Sequence, residues 1–270
     1  MQTNVVIITG ASRGIGRETA LAFAAAGYHT AVIAHDLAAL EQVKQEIETH
    51  YQTQCLVCAG DLSDLAFTQS IAATVCEHFG RIDVLVNNAA WRTIETMRTI
   101  TPETWDKTFR ICVTAPAFLA QSCAAVMEEK NTGGSIINVS SVMSRQAGGN
   151  SPAYIASKGA LESLTKELAV TYGRSGIRVL CVRPGVIDTD MSSDYVSEEG
   201  DDISRLMTDE LLQLTPASRK GTGQDIAQAL VWLSSPDAAY ITGCDLTIDG
   251  GLSANFSSYF IKNLQFPKEY

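Results

Sequence analysis

The sequence predicts an α/β protein of three layers, α/β/α, built on a doubly wound parallel sheet. Three observations carry this. Short apolar, β-branched runs alternate with helical patterns along the chain. Those runs are continuously apolar, as strands are when helices cover both faces of a sheet. A glycine-rich turn, Gly10-Ala11-Ser12-Arg13-Gly14-Ile15-Gly16, joins the first run to the first helical pattern.

The elements follow in order. Residues 5–9 read as the first strand, and after the glycine turn residues 17–26 have helical spacing that stops at Gly27. Residues 30–34 are a strand and 37–50 a helix. Residues 54–58 are the third strand. Asp64 caps a helix over 64–79 that stops at Gly80. Residues 83–86 form strand four, ending in Asn87-Asn88-Ala89-Ala90. Thr101-Pro102-Glu103 starts a helix expected to reach about residue 129, with a kink at Pro116. Residues 134–140 are strand five. Ser151 as N-cap and Pro152 in the first turn open a helix over 152–172. Residues 177–183 form strand six, 224–233 a helix and 244–248 the last strand, closing on Asp249-Gly250-Gly251. No linker or repeat interrupts the alternation, so one domain over residues 1–270 is expected.

Composition narrows the function. The net charge is −10 with no Lys/Arg run, which argues against nucleic acid and anionic membrane as partners. No apolar run approaches the ~20 residues that span a bilayer, and no basic flank precedes the first strand, so no signal peptide is expected. The seven cysteines are odd in number and irregular in spacing, which argues against a disulfide framework. Cys55 and Cys58 sit three apart on a strand and point to opposite faces, so they read as buried core thiols and not as metal ligands. No metal site is expected, and a cytoplasmic location is.

The chemistry concentrates at strand ends. The glycine turn lies where close backbone approach and a helix N-terminus favour a pyrophosphate, as in Rossmann-like sheets. Ligands in such sheets bind at the carboxyl ends of the strands, here Gly10, Ala34-His35-Asp36, Asp61, Asn87-Asn88, Ser140-Ser141 and Pro184-Gly185. Tyr154 and Lys158 are four apart on a predicted helix and share one face. A cation beside a phenol favours the phenolate and suits it to acid–base work.

Together these motifs are specific: T-G-x-x-x-G-I-G, N-N-A, Ser141 thirteen residues ahead of Tyr154, Y-x-x-x-K, and P-G-x-x-x-T. The chain resembles the short-chain dehydrogenase/reductase family from Val5 to Gly251, in the branch with 3-oxoacyl-carrier-protein reductases, glucose dehydrogenases and sugar or alcohol dehydrogenases. The resemblance implies an NAD(P)-dependent enzyme that moves hydride between the nicotinamide and a carbonyl or secondary alcohol. It implies that Thr9, Gly10, Ser12, Arg13, Gly14, Ile15 and Gly16 shape the cofactor loop. Asp61 and Leu62 would meet the adenine, with Asn88 and Ala89 alongside, and Asn87 would brace the central strands. Pro184, Gly185, Ile187 and Thr189 would clasp the nicotinamide end. Ser141 would hydrogen-bond the substrate oxygen, Tyr154 would pass the proton, and Lys158 would hold the ribose and tune Tyr154.

The chain departs from the family pattern in two places. Cys112 stands where the family has an Asn that supports a proton relay, and Ala90 replaces a Gly. At the end of strand two Ala34 is not acidic, His35 lies where a basic residue serves NADP, and Arg13 can meet a phosphate. NADP is therefore favoured; Asp36 is the group that would serve NAD. Residues 188–220 are expected to form a substrate lid, and the loop at Arg92 and the tract at Arg145 to line the same cleft. The tail 252–270 is apolar enough to pack on a neighbouring subunit, in keeping with the family's homotetramers. The competing expectation is a dinucleotide-binding protein of this fold with little or no turnover, acting in regulation or assembly.

Overall fold

The computed structural model describes residues 3–270; Met1 and Gln2, part of the segment read for a leader, lie outside the described residues. Strands β1 (Val5–Thr9), β2 (His29–Ala34), β3 (Cys55–Ala59), β4 (Val84–Asn87), β5 (Gly134–Val139), β6 (Ile177–Pro184) and β7 (Asp245–Ile248) form one sheet. It is parallel throughout, in the order β3-β2-β1-β4-β5-β6-β7. The helices are α1 (Gly14–Ala25), α2 (Leu37–His50), α3 (Leu65–Phe79), α4 (Pro102–Phe109), α5 (Ala115–Lys130), α6 (Pro152–Tyr172), α7 (Ser204–Leu214), α8 (Gly223–Ser234) and α9 (Tyr259–Gln265).

The continuous apolar strands bury both faces. On β1, Val6 and Ile8 join the core under α1, α2 and α8, while Val5 and Ile7 join the core under α3 and α5. The chain winds outward from β1 to β3, then restarts on the other side at β4. That reversal leaves a crevice between the carboxyl ends of β1 and β4. Asn88 closes its floor: its Nδ2 donates to the carbonyls of Thr9 at 3.0 Å and Gly10 at 3.2 Å.

Local signals explain most boundaries. Asp64 accepts from the Ala66 and Phe67 N–H groups at the start of α3, and Gly80 ends it with φ 80°. Thr101 caps α4 with Pro102 in the first turn. The expected kink takes the form of a five-residue π turn, Arg110–Thr114, between α4 and α5. Pro116 has no N–H for the carbonyl four residues back, so the ladder slips by one residue there. The helical stretch 102–130 is long and apolar enough to cross a membrane by length and composition. Here it is a core element, with Leu119, Ala120, Cys123, Ala124 and Met127 fully buried.

Several details differ from the sequence reading. Ser151 precedes α6 but makes no cap bond; its hydroxyl donates to the Thr93 carbonyl at 3.0 Å and to that of Asn150. Cys55 is buried, and burial pushes its thiol up to about 11, but Cys58 is only half-buried because β3 is the sheet edge. Helices α7 and α9 were not read from the sequence. The first lies within the expected lid and the second within the tail, where α9 packs near α7 and Asn255 Nδ2 donates to the Leu214 carbonyl.

Candidate active site

The glycine turn folds into a cradle with no room for side chains. A Cβ on Gly10, whose φ is 66°, would come 2.8 Å from the Ala89 Cα, and one on Gly16 would come 2.1 Å from the Gly10 carbonyl oxygen. Two backbone donors from the far side of the crevice, the N–H groups of Asn88 and Ala89, both reach the Thr9 hydroxyl at 3.0 Å. The first turn of α1 holds no acidic residue and its N-cap position makes no side-chain cap bond, so its N–H groups face the crevice free of competing anions. These features fit a dinucleotide pyrophosphate.

A cavity of about 710 Å³ opens above this cradle, within the range of natural ligand sites. Gly10, Ser12, Arg13, Gly14 and Ile15 line one wall, with His35, Asp61 and Leu62 at one end and Asn88 and Ala89 on the floor. Pro184, Gly185, Ile187 and Thr189 line the opposite end. Ser141, Tyr154 and Lys158 form the remaining wall. Thr9 and Gly16 shape the cradle from behind and do not line the cavity. Asp36 does not line it either: its carboxylate accepts from the Ala39 N–H at 3.0 Å and caps α2. Hydrogen bonds from the Ser63 backbone and hydroxyl hold the Asp61 carboxyl below the usual range, leaving an ionised acceptor at that end.

Hydrogen bonds and burial hold the wall that carries Ser141, Tyr154 and Lys158. Tyr154 and Lys158 stand one turn apart on α6, both buried, with the Lys158 ammonium 5.4 Å from the centre of the Tyr154 ring. Lys158 Nζ donates to the Val139 carbonyl at 2.7 Å, which fixes a four-carbon side chain that otherwise moves freely. Ser141 sits just after β5 with extended backbone, and its hydroxyl accepts from the Met143 N–H at 3.1 Å. The neighbouring Ser140 hydroxyl is committed elsewhere, to Glu162 at 2.9 Å.

Cys112 is fully buried in the π turn and does not line the cavity. Its thiol grips the backbone of Trp91 at both ends, accepting from the N–H at 3.4 Å and donating to the carbonyl at 3.6 Å. It therefore acts on the loop after β4 from behind the site.

The segment after β6 roofs the site through ion pairs to two parts of the body and one within itself. Arg13 meets Asp190 at 3.0 Å, Lys220 meets Asp188 at 2.7 Å, and buried Arg92 pairs with Asp194 and donates to the Tyr195 hydroxyl at 3.1 Å. Met191, Met207 and Leu211 face the cavity from this roof, with Met143 and Leu252 opposite. Met207 and Leu211 are one turn apart on α7, a spacing that marks the helix in the sequence. Arg145, expected at the cleft, turns away instead and meets Asp245 at 3.1 Å.

That contact belongs to a buried network that was not anticipated. Glu162 of α6 pairs with Arg183 of β6 at 2.8 Å, and Arg183 meets Asp245 of β7 at 3.2 Å. Burial works to raise the Glu162 pKa. Hydrogen bonds from Arg183, Ser144 and Ser140, with the Arg183 charge, overcome it and bring it down to about 2. One signal was available: Glu162 is four residues beyond Lys158 and so on the same face of α6.

The family model described as enoyl-(acyl carrier protein) reductase matches residues 10–253. The chain is 31% identical over 256 residues to an L-rhamnose 1-dehydrogenase (NAD(P)(+)) of Sphingomonas sp. strain SKA58, spanning 94% of this chain and 98% of that protein. It is 32% identical to the levodione reductase of Leifsonia aquatica, over 93% of this chain and 95% of that one. The L-sorbose reductase of Gluconobacter frateurii, solved with NADPH and L-sorbose, superposes with a TM-score of 0.87 at 28% identity, covering 95% of this chain and 98% of that one.

Proposed function

We propose that this chain, which belongs to the short-chain dehydrogenase/reductase family and is a nicotinamide-dependent hydride-transfer oxidoreductase, acts on an uncharged, partly apolar carbonyl or secondary alcohol with NADP preferred. The observation that carries this reading is the convergence of Ser141, Tyr154 and Lys158 on one cavity wall facing the glycine cradle.

Bound NAD(P) supplies or receives the hydride, and the protein manages the oxygen and its proton. The Tyr154 hydroxyl gives its proton to the carbonyl oxygen in reduction and takes it back in oxidation. The Ser141 hydroxyl donates to the same oxygen and holds the charge that develops there. Lys158, anchored by the Val139 carbonyl, places its ammonium beside Tyr154 and would hold the ribose hydroxyls of the bound cofactor.

The cofactor preference rests on the end of β2. Ala34 and His35 line the cavity together with Arg13, and Asp36, the acid that would serve NAD, is engaged in capping α2. A 2′-phosphate would take the Arg13 guanidinium from the exposed Asp190 and lie beside the His35 ring. The substrate class rests on the roof, where Met143, Met191, Met207 and Leu211 make an adaptable apolar wall and Arg92 is already paired with Asp194. The names of the rhamnose, levodione and sorbose enzymes support a panel of sugars, polyols and cyclic ketones.

We further propose one domain over the whole chain, with residues 188–220 as its lid, in a cytoplasmic homotetramer. The tail supports the assembly: Phe256 is fully exposed, and Phe260, Ile261 and Leu264 of α9 are more than half exposed. The test of function is a fluorescence titration with NADPH and NADH, followed by turnover on that panel. Tighter NADPH binding with turnover is expected; tighter NADH binding reverses the cofactor assignment, and binding without turnover on the panel removes the substrate class.

A further inference from the structure

Glu162 lies one turn beyond Lys158 on α6, is 5% exposed and does not line the cavity. Its Oε1 accepts three hydrogen bonds, from Arg183 Nε at 2.8 Å, Ser140 Oγ at 2.9 Å and Ser144 Oγ at 2.5 Å. Its Oε2 accepts from Arg183 Nη2 at 2.9 Å. The fork of Arg183, which also meets Asp245, joins this carboxylate with two parallel bonds, and Arg145 Nε lies 3.5 Å from Oε2, so the charge is balanced by arginines. The two serines are surplus to charge balance, and what they add is geometry.

They bracket Ser141. Ser140 and Ser144 both turn their hydroxyls toward α6, and Ser140 Oγ also lies 3.3 Å from the Lys158 carbonyl. Ser141 between them turns to the cavity. The strand-to-helix turn carrying Ser141 is thereby tied to the helix carrying Tyr154 and Lys158. Arg183 carries the tie into the sheet, donating from Nη1 to the Thr247 hydroxyl at 2.8 Å on β7.

We infer that Glu162, with the hydroxyls of Ser140 and Ser144, is a positioning clamp that sets the Ser141 hydroxyl against Tyr154. The inference rests on the catalytic reading of Ser141 and Tyr154 given above. A hydroxyl that must meet the same oxygen as the phenol tolerates little displacement, because reacting groups lose rate steeply when misplaced by an ångström. The clamp holds that distance from behind, where no substrate reaches.

The test spares the ion pair. The double variant Ser140→Ala/Ser144→Ala leaves Glu162 and Arg183 joined, so the fold is kept. We expect kcat to fall by about 10- to 100-fold, with KM and the NADPH dissociation constant within about threefold of wild type. Amide hydrogen exchange should accelerate across residues 141–146 while α6 stays protected. In a Ser140→Ala background, Ser144→Thr, which keeps the hydroxyl, should recover most of the turnover that Ser144→Ala loses. Unchanged exchange across 141–146 overturns the clamp; faster exchange with unchanged kcat overturns its role in positioning Ser141. If Ser141→Ala or Tyr154→Phe turns over like wild type, the catalytic reading falls instead, and exchange still decides whether the clamp exists.

Discussion

Cys112 and Trp91 are joined twice, the Trp91 N–H donating to the Cys112 sulfur and the thiol donating back to the Trp91 carbonyl. A side chain in a π turn thus fixes the loop that leaves β4 and runs under the cavity. The family position usually holds an amide, which both donates and accepts. A thiol has the same two capacities in weaker form. Cys112→Asn should preserve or raise kcat, whereas Cys112→Ala should lower the unfolding free energy by about 1–2 kcal/mol. Thermal denaturation and steady-state rates on the two variants check this; an asparagine variant less active than the alanine variant would refute it.

Tyr154→Phe removes one oxygen from a buried wall and little volume. Turnover should drop by about 10²- to 10⁴-fold, with NADPH affinity changed by less than about threefold. Single-turnover kinetics and a fluorescence titration on the same preparation separate the two effects.

Arg13 is exposed and paired only with Asp190, itself exposed, so the pair contributes little to stability. It is free to exchange Asp190 for a phosphate. Arg13→Ala should weaken NADPH binding by about 10-fold or more, the loss of one charge-assisted contact, and leave NADH binding nearly unchanged. Equal losses for the two cofactors would place Arg13 on the pyrophosphate instead.

The Glu162 carboxyl falls from 4.5 to about 2 on folding. A depressed carboxyl contributes stability that is present above its unfolded value and is lost as pH falls through the folded value. Midpoints of thermal unfolding should therefore decline between about pH 4.5 and pH 2. Glu162→Gln should flatten that part of the profile. A Gln variant with the same acid dependence as wild type would assign the decline to other carboxylates.

Much of the fold was legible because its signals are local. Continuous apolar, β-branched runs of five residues bounded by turn residues read as strands covered on both sides, and Asp64, Gly80, Thr101 and Pro102 mark helix ends through their own hydrogen bonds and dihedral angles. Helices α7 and α9 carry apolar residues at helical spacing, Met207 and Leu211 on one and Phe260 and Leu264 on the other, but α7 packs over the cavity and α9 packs near α7, so the local pattern alone read only as a lid and a tail. Ser151 misled for a related reason: its hydroxyl finds a carbonyl on a distant loop, which no local rule foresees.

By itself, the sequence determined the doubly wound sheet and the glycine turn, because their signals are local, and its resemblance to the family singled out Ser141, Tyr154 and Lys158, which line one cavity. Tertiary structure decided how the remaining charges are spent. It turned Asp36 into a cap, led Arg145 to Asp245, joined Arg92 to the roof and buried Glu162 against Arg183. A charged side chain takes whichever partner the fold brings within reach, and those partners come from segments as far as 177 residues away, as for Arg13 and Asp190.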